Sequence, residues 1–231
     1  ANADHKFVEL LVDFLKERDP VVKESSKKAL RCLQRPEAVN RICELWEKSR
    51  DSALEEIILK SGYVATAPAM LAALTLLKQG RVEEAAYADQ KGVAELLKLR
   101  SDRDPVVNAR ALEALSCLKR PEAIDHLCRI WGESRDSTLK EIILKAGYIA
   151  SEPLEMHALT SFLNSKPLRA VLPGGVLKGC IFDKEAVVAG NAFSYAVAAK
   201  GRVETDWIMP FLVETFDLGL LQKLHAAGWY P

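Results

Sequence analysis

The chain has 231 residues, 49% of them apolar, which is enough to bury a sizeable core as one long domain or two small ones. Lys plus Arg and Asp plus Glu both total 32, so the net charge is zero and gives no long-range pull toward nucleic acid or an acidic membrane. No apolar run approaches the roughly 20 residues that a bilayer helix needs, so no membrane partner is expected.

The opening Ala1-Asn2-Ala3 lacks both Met and the charged-then-apolar pattern of a secretory signal, and reads as the start of an excised or processed fragment. From there the apolar spacing predicts helices over 6–17, 20–33, 36–48, 52–61, 68–78 and 81–88, then 91–100, 105–118, 121–132, 137–146 and 152–163. The second set echoes the first. Arg18-Asp19-Pro20-Val21-Val22 recurs as Arg103-Asp104-Pro105-Val106-Val107, and Arg35-Pro36-Glu37-Ala38 as Arg120-Pro121-Glu122-Ala123. The run from Arg50-Asp51-Ser52 to Gly62-Tyr63 returns from Arg135-Asp136-Ser137 to Gly147-Tyr148. Between 18 and 68, 29 of 51 positions equal the residue 85 places on, without a gap, which marks a duplicated supersecondary unit.

Each unit carries its own punctuation. Asp19 and Asp104 can cap the helix that follows, with Pro20 and Pro105 in its first position, where a missing N–H costs nothing. Pro36 and Pro121 open the next helix, Asp51-Ser52 and Asp136-Ser137 another, and Pro68 and Pro153 a further one. Gly62 and Gly147 suit the left-handed residue that ends a helix. Val39, Ile42, Cys43 and Trp46, like Ile124, Leu127, Cys128 and Trp131, form one buried stripe at i, i+3, i+4 and i+7. The opposite face of the next helix carries Glu56 with Lys60 and Glu141 with Lys145, favourable i,i+4 pairs.

Periodicity breaks over Asn164 to Lys178, where Pro167, Pro173 and Gly174-Gly175 predict an irregular connection. Helices resume near 183–199, 204–214 and 217–227, the last capped by Asp217 and closed by Gly228. The expected domains are therefore 1–163, the repeats, and 164–231, a helical extension or cap. Gly201-Arg202-Val203-Glu204 repeats Gly80-Arg81-Val82-Glu83, a short match that hints at a third unit.

The Asp-Pro-Val-Val turn leading into a helix, in units near 40 residues paired into an 85-residue block, resembles the HEAT-like repeats of the armadillo-type family. The resemblance covers about residues 6–163 and implies an all-α fold, a right-handed α-solenoid of HEAT-like helical hairpins. The run Pro-Glu-Ala…Cys…Trp…Gly-Tyr…Pro and the tail Leu-Gln-Lys-Leu-His-Ala-Ala-Gly-Trp-Tyr-Pro are similar to the helical segment before WD-repeat propellers in large bacterial signalling proteins. That similarity implies a cytoplasmic module with a protein partner or an adjoining domain such as a propeller.

Little in the chain points to chemistry. The five cysteines, Cys32, Cys43, Cys117, Cys128 and Cys180, form no CxxC or Cys/His cluster, so no metal site is expected and a reducing compartment is. Four of them, paired by the repeat, are expected in the core. His5, His126, His157 and His225 have no nucleophile beside them in the repeated pattern, so no catalytic residue is assigned. Pro173 to Cys180 lacks the order and the Ser or Thr of a phosphate loop. Trp46 and Trp131 fit core packing better than a stacking platform.

Arg50, Lys60, Arg135 and Lys145 are the repeated polar residues with the least obvious structural task. Stacked units place such residues in a row that can bind a partner, though they can equally cap helices or sit in water. At the far end Trp207, Phe211, Phe216, Trp229 and Tyr230 belong to an apolar set too large for one helical stripe, which suggests docking. The expectation is a non-enzymatic protein-binding or scaffold module with no cofactor, nucleic acid or small-molecule ligand. An enzyme of the same architecture, such as an alkyl-base DNA glycosylase or a bilin-chromophore lyase, is the alternative.

Overall fold

A computed structural model describes residues 2–168 and 171–199, together with Gln222. Among the described residues the fold is all-helical, with no strand. The helices are α1 (Asn2–Phe14), α2 (Pro20–Arg31), α3 (Pro36–Ser49), α4 (Ser52–Ser61), α5 (Ala69–Lys78), α6 (Val82–Ala85) and α7 (Gln90–Leu99). They continue as α8 (Pro105–Ser116), α9 (Pro121–Ser134), α10 (Ser137–Ala146), α11 (Leu154–Leu163), α12 (Gly174–Ile181) and α13 (Ala186–Ala198). The chain divides into two compact units, Ala1–Ala123 and Ile124–Pro231.

The punctuation works as its chemistry demands. The Asp19 carboxylate accepts the Val21 N–H at 2.8 Å and Asp104 that of Val106 at 2.9 Å, each ahead of a proline at the first helical position. Asp51 accepts from Ala53 and Leu54, and Asp136 from Thr138 and Leu139. Gly62 and Gly147 both stand at φ +66°, a backbone shape that any side chain would strain. Ala67-Pro68 and Glu152-Pro153 are both cis.

In the first unit α1 packs on α2 and α3, α4 on α2 and α3, and α7 between α5 and α8. Leu30, Ile42, Trp46, Ile57, Ile58, Leu74, Leu77 and Leu99 are fully buried there. Tyr63 closes the turn after α4 from inside: its hydroxyl donates to Leu30 O at 2.8 Å and accepts the Leu33 N–H at 2.8 Å. In the second unit α12 packs on α11 and α13, and Leu127, Trp131, Ile143, Leu177 and Val188 are fully buried.

Two expectations need correction. Cys32 and Cys117 are exposed, not core residues, because α2 and α8 end one residue earlier and leave each thiol on the helix cap. The expected irregular connection contains a helix, α12, which begins at Gly174. The reason is a third copy, set 81 residues after the second. Asp183-Lys184-Glu185-Ala186-Val187-Val188 stands where Asp102-Arg103-Asp104-Pro105-Val106-Val107 stands before it. Hydrogen bonds confirm the register. Arg110 on α8 donates to Leu77 O at 2.7 Å, and Asn191 on α13 donates to Phe162 O at 2.6 Å, where 110 and 191 are 81 apart and 77 and 162 are 85 apart. Among the described residues the four-residue helix α6 has no counterpart between α11 and α12, in keeping with the shorter spacing.

Candidate functional site

The repeated arginines sit at a built feature. Arg50 follows the last turn of α3 at φ 51°, a left-handed conformation costly for a side-chain-bearing residue, and its N–H bonds Trp46 O at 2.6 Å. This turns the guanidinium back over the buried Trp46 ring, 5.1 Å from its centroid. From there Nη2 meets Asp102 Oδ2 at 3.0 Å and Nη1 reaches Oδ1 at 3.5 Å, a two-pronged contact that suits the planar cation. Asp102 also accepts the Asp104 N–H at 2.9 Å, so the carboxylate ties the arginine to the start of α8.

Arg135 repeats the arrangement at φ 55°, 4.9 Å over the Trp131 ring and ion-paired to Asp183, which in turn accepts the Glu185 N–H at 2.9 Å. The Asp102 and Asp183 side chains are only 9% and 6% exposed, so each arginine neutralises a carboxylate that is largely out of water. The structure thus gives Arg50 and Arg135 partners inside the chain.

A second charged cluster differs between copies. Lys78, at the end of α5, is 2.8 Å from Glu55 and also ion-paired to Asp104, the cap of α8. Burial opposes its charge, but the two carboxylates outweigh burial and hold its pKa above the ordinary value. Asp104 is likewise desolvated, yet Lys78 and the Val106 N–H hold it below the usual carboxylate value. In the next copy Lys140 takes the place of Glu55 and Leu163 that of Lys78, and Lys140 pairs directly with Glu185. The swap has a consequence for tryptophan. Trp46 Nε1 donates to Glu55 at 3.3 Å, whereas Trp131 Nε1, facing a lysine position, is buried with no hydrogen-bond partner among the described residues.

Lys60 and Lys145 are exposed. Lys60 bonds Glu56 at 2.6 Å, one turn back, and that contact lowers the Glu56 pKa. Beside them Leu59 and Leu144 are 38% and 42% exposed. α4 and α10 therefore present the same Leu-Lys pair to solvent, an apolar side chain next to a cation at matching positions. Sequence reasoning picked out the lysines and missed the leucines, because both lie in a run, Ile-Ile-Leu-Lys, whose first two members are core.

The most suggestive concavity, about 680 Å³ beside Arg129, Ser151, Glu152, Pro153, Leu154 and His157, holds a serine and a histidine. His157 Nδ1 is 2.7 Å from Ala150 O, while the Ser151 hydroxyl donates to Asp125, so the serine proton goes to a carboxylate rather than to the imidazole. Cys43, Cys128 and Cys180 are buried, and burial pushes each thiol up to about 12, far from a reactive thiolate. Among the described residues no three His, Cys, Asp or Glu side chains gather as a metal site, and no helix is long and apolar enough to cross a membrane.

Trp207, Phe211, Phe216, Trp229 and Tyr230 lie outside the described residues, so the apolar C-terminal set has no structural account. Comparison of the chain with protein-family models, curated proteins and solved structures finds no match.

Proposed function

We propose that this chain is a protein-binding or scaffold module, a right-handed α-solenoid of HEAT-like hairpins that works within a larger cytoplasmic signalling protein. The observation that carries the reading is the exposed pair Leu59-Lys60 on α4 and its counterpart Leu144-Lys145 on α10. The repeated tryptophans are buried and the repeated arginines are occupied in tying each copy to the start of the next. The repeated leucines and lysines are not needed for that. A like patch on the equivalent helix of each copy suits the multi-point recognition by which repeat proteins take a polypeptide partner.

The test is affinity capture from the cells that make the protein, with the intact chain and with a Leu59→Glu, Leu144→Glu double variant. Both substitutions fall on exposed side chains and should leave the thermal midpoint nearly unchanged. A polypeptide held by the intact chain and lost by the double variant supports the reading. Equal capture by both, or a salt-dependent complex with DNA in its place, replaces it with another.

A further inference from the structure

The first copy carries a charged row that the later copies lack. On α2, Lys23, Lys27 and Arg31 follow one another at four-residue spacing, so they lie along one face in a row roughly 12 Å long, at about 1.5 Å per residue. At the equivalent positions α8 has Asn108, Leu112 and Ser116, and α13 has Ala189, Phe193 and Val197. Two copies therefore build this helix with no charge in the row, and its cations are not a requirement of the fold. Like charges four residues apart on a helix oppose each other, so the row works against the stability of α2.

α4 packs on α2 and adds to the row. Lys60 Nζ is 2.6 Å from Glu56, and Arg31 Nη2 reaches the same carboxylate at 3.3 Å. Lys60 first, then Lys27 and Arg31, hold the Glu56 pKa below the usual carboxylate value, so three cations act on one acid. The other carboxylates of the neighbouring helices are placed elsewhere. Glu24 sits about 100° around α2 from Lys23 and shares a face with Lys28, four residues on. Glu55 is held by Lys78 and the Trp46 indole, and on α1, which also packs on α2, Glu9 is paired to Arg41 and Asp13 to Lys16. On α2 and α4 the four cations Lys23, Lys27, Arg31 and Lys60 are thus answered by Glu56 alone, an excess of three positive charges. Leu59, 38% exposed, lies three residues from Glu56 and sets an apolar side chain at the edge of the cluster.

We infer that Lys23, Lys27, Arg31 and Lys60 dock an acidic segment of a partner protein, an amphipathic helix with carboxylates at i, i+4 and i+8 and an apolar residue to meet Leu59. The inference rests on the protein-binding reading and supplies the chemistry of the partner at the first copy. Charge complementarity selects an anionic occupant. Glu56 inside the cluster and Leu59 at its edge favour a polypeptide over a phosphate chain, which the first would repel and which has no apolar group for the second. α2 and α4 also contain no aromatic residue on which a base could stack. The chain as a whole is neutral, which gives a nucleic acid or an acidic membrane no long-range attraction.

The probe is a fluorescein-labelled synthetic helical peptide with Glu at i, i+4 and i+8 and Leu beside them, titrated with the whole chain and followed by anisotropy. A control peptide carries Gln in place of each Glu. Saturable binding of the first peptide and not of the control is expected. It should be lost as salt rises from about 0.1 M to about 1 M, which shortens the screening length from about 10 Å to about 3 Å. The Lys23→Gln, Lys27→Gln double variant should bind about three- to tenfold more weakly, as for the loss of two exposed ion pairs. Lys91→Gln, at an exposed lysine of α7, should bind as the parent does. Because α8 carries Asn108 and Leu112 at the two substituted positions, the double variant should keep the fold, which circular dichroism and the thermal midpoint check.

The proposal is overturned if the acidic peptide does not bind saturably, if the Gln peptide binds as well, or if the double variant binds as tightly as the parent. It is also overturned if a labelled thymidine oligonucleotide or phosphatidylserine vesicles bind more tightly than the peptide and lose that affinity in the double variant, which assigns the row to a nucleic acid or a membrane. Failure of the peptide, while the intact chain still captures a polypeptide that the Leu59→Glu, Leu144→Glu variant loses, strikes this inference and leaves the protein-binding reading standing.

Discussion

At the residue scale Arg50 combines a backbone cost with two side-chain gains. Its left-handed φ of 51° is unfavourable for any residue with a Cβ, so Arg50→Gly and Arg50→Ala lose the same cation but only glycine relieves the backbone. Both leave Asp102 nearly buried and without its cation, a loss of roughly 2–4 kcal/mol. Chemical denaturation should place the glycine variant about 1 kcal/mol above the alanine variant, and equal values would show that the backbone is relaxed at this position. The tryptophans supply a second comparison. Trp46→Ala and Trp131→Ala should each cost about 3–5 kcal/mol, as both side chains are 0% exposed. Trp46→Phe gives up the bond to Glu55 while Trp131→Phe removes a donor that has no partner, so the first should cost about 1–2 kcal/mol more than the second. The reverse order in melting curves would mean that Trp131 Nε1 is satisfied in solution.

At the element scale the junction of α4, α5 and α8 depends on one lysine. Lys78 joins Glu55 to Asp104, the residue that also caps α8. Lys78→Met leaves two partly exposed carboxylates side by side and should cost about 1–3 kcal/mol at neutral pH, less than a fully buried pair would. Because the Asp104 pKa lies below its ordinary 3.8 in the fold, its contribution is present above that value and is lost as the pH falls through the folded pKa. The raised Lys78 pKa acts in the other direction, with stability present below 10.5 and lost as the pH rises past it. The gap between parent and Lys78→Met should therefore be widest between these limits and close at both ends. A gap that stays constant down to pH 3 would show that the lysine acts through packing alone. In the next copy Lys140 and Leu163 reach the same end with one ion pair fewer, which spacing could not foretell, because the partner of Lys140 lies 45 residues on.

At the scale of the whole molecule the cysteines report on burial throughout. Cys32 and Cys117 are exposed on helix caps, whereas Cys43, Cys128 and Cys180 are buried and held near 12. Thiol titration of the native protein at mildly alkaline pH should give two fast sites out of five, and all five only after unfolding. A native count above two would mean that at least one core opens readily. The same titration on Trp131→Ala should release Cys128 earlier than Cys43, since both belong to the stripe next to their tryptophan.

The sequence by itself determined the helices, their ends and their repetition. These are local properties: a cap needs a carboxylate one residue before the helix, a left-handed terminus needs glycine, and a buried stripe needs apolar residues every three or four positions. Arg50, Arg135, Lys60 and Lys145 were also legible as repeated positions, but not what they do. Tertiary structure decided that, because Asp102 and Asp183 reach the arginines from 52 and 48 residues away while Lys60 stays with Glu56 on its own helix. It also decided the third copy, whose proline is replaced by Ala186 and whose glycines mimic a loop. Phe14 and Leu99 are equally apolar in sequence. Only the packing around each, with α5 and α8 on the helix of Leu99, separates a residue that is fully buried from one that is 36% exposed.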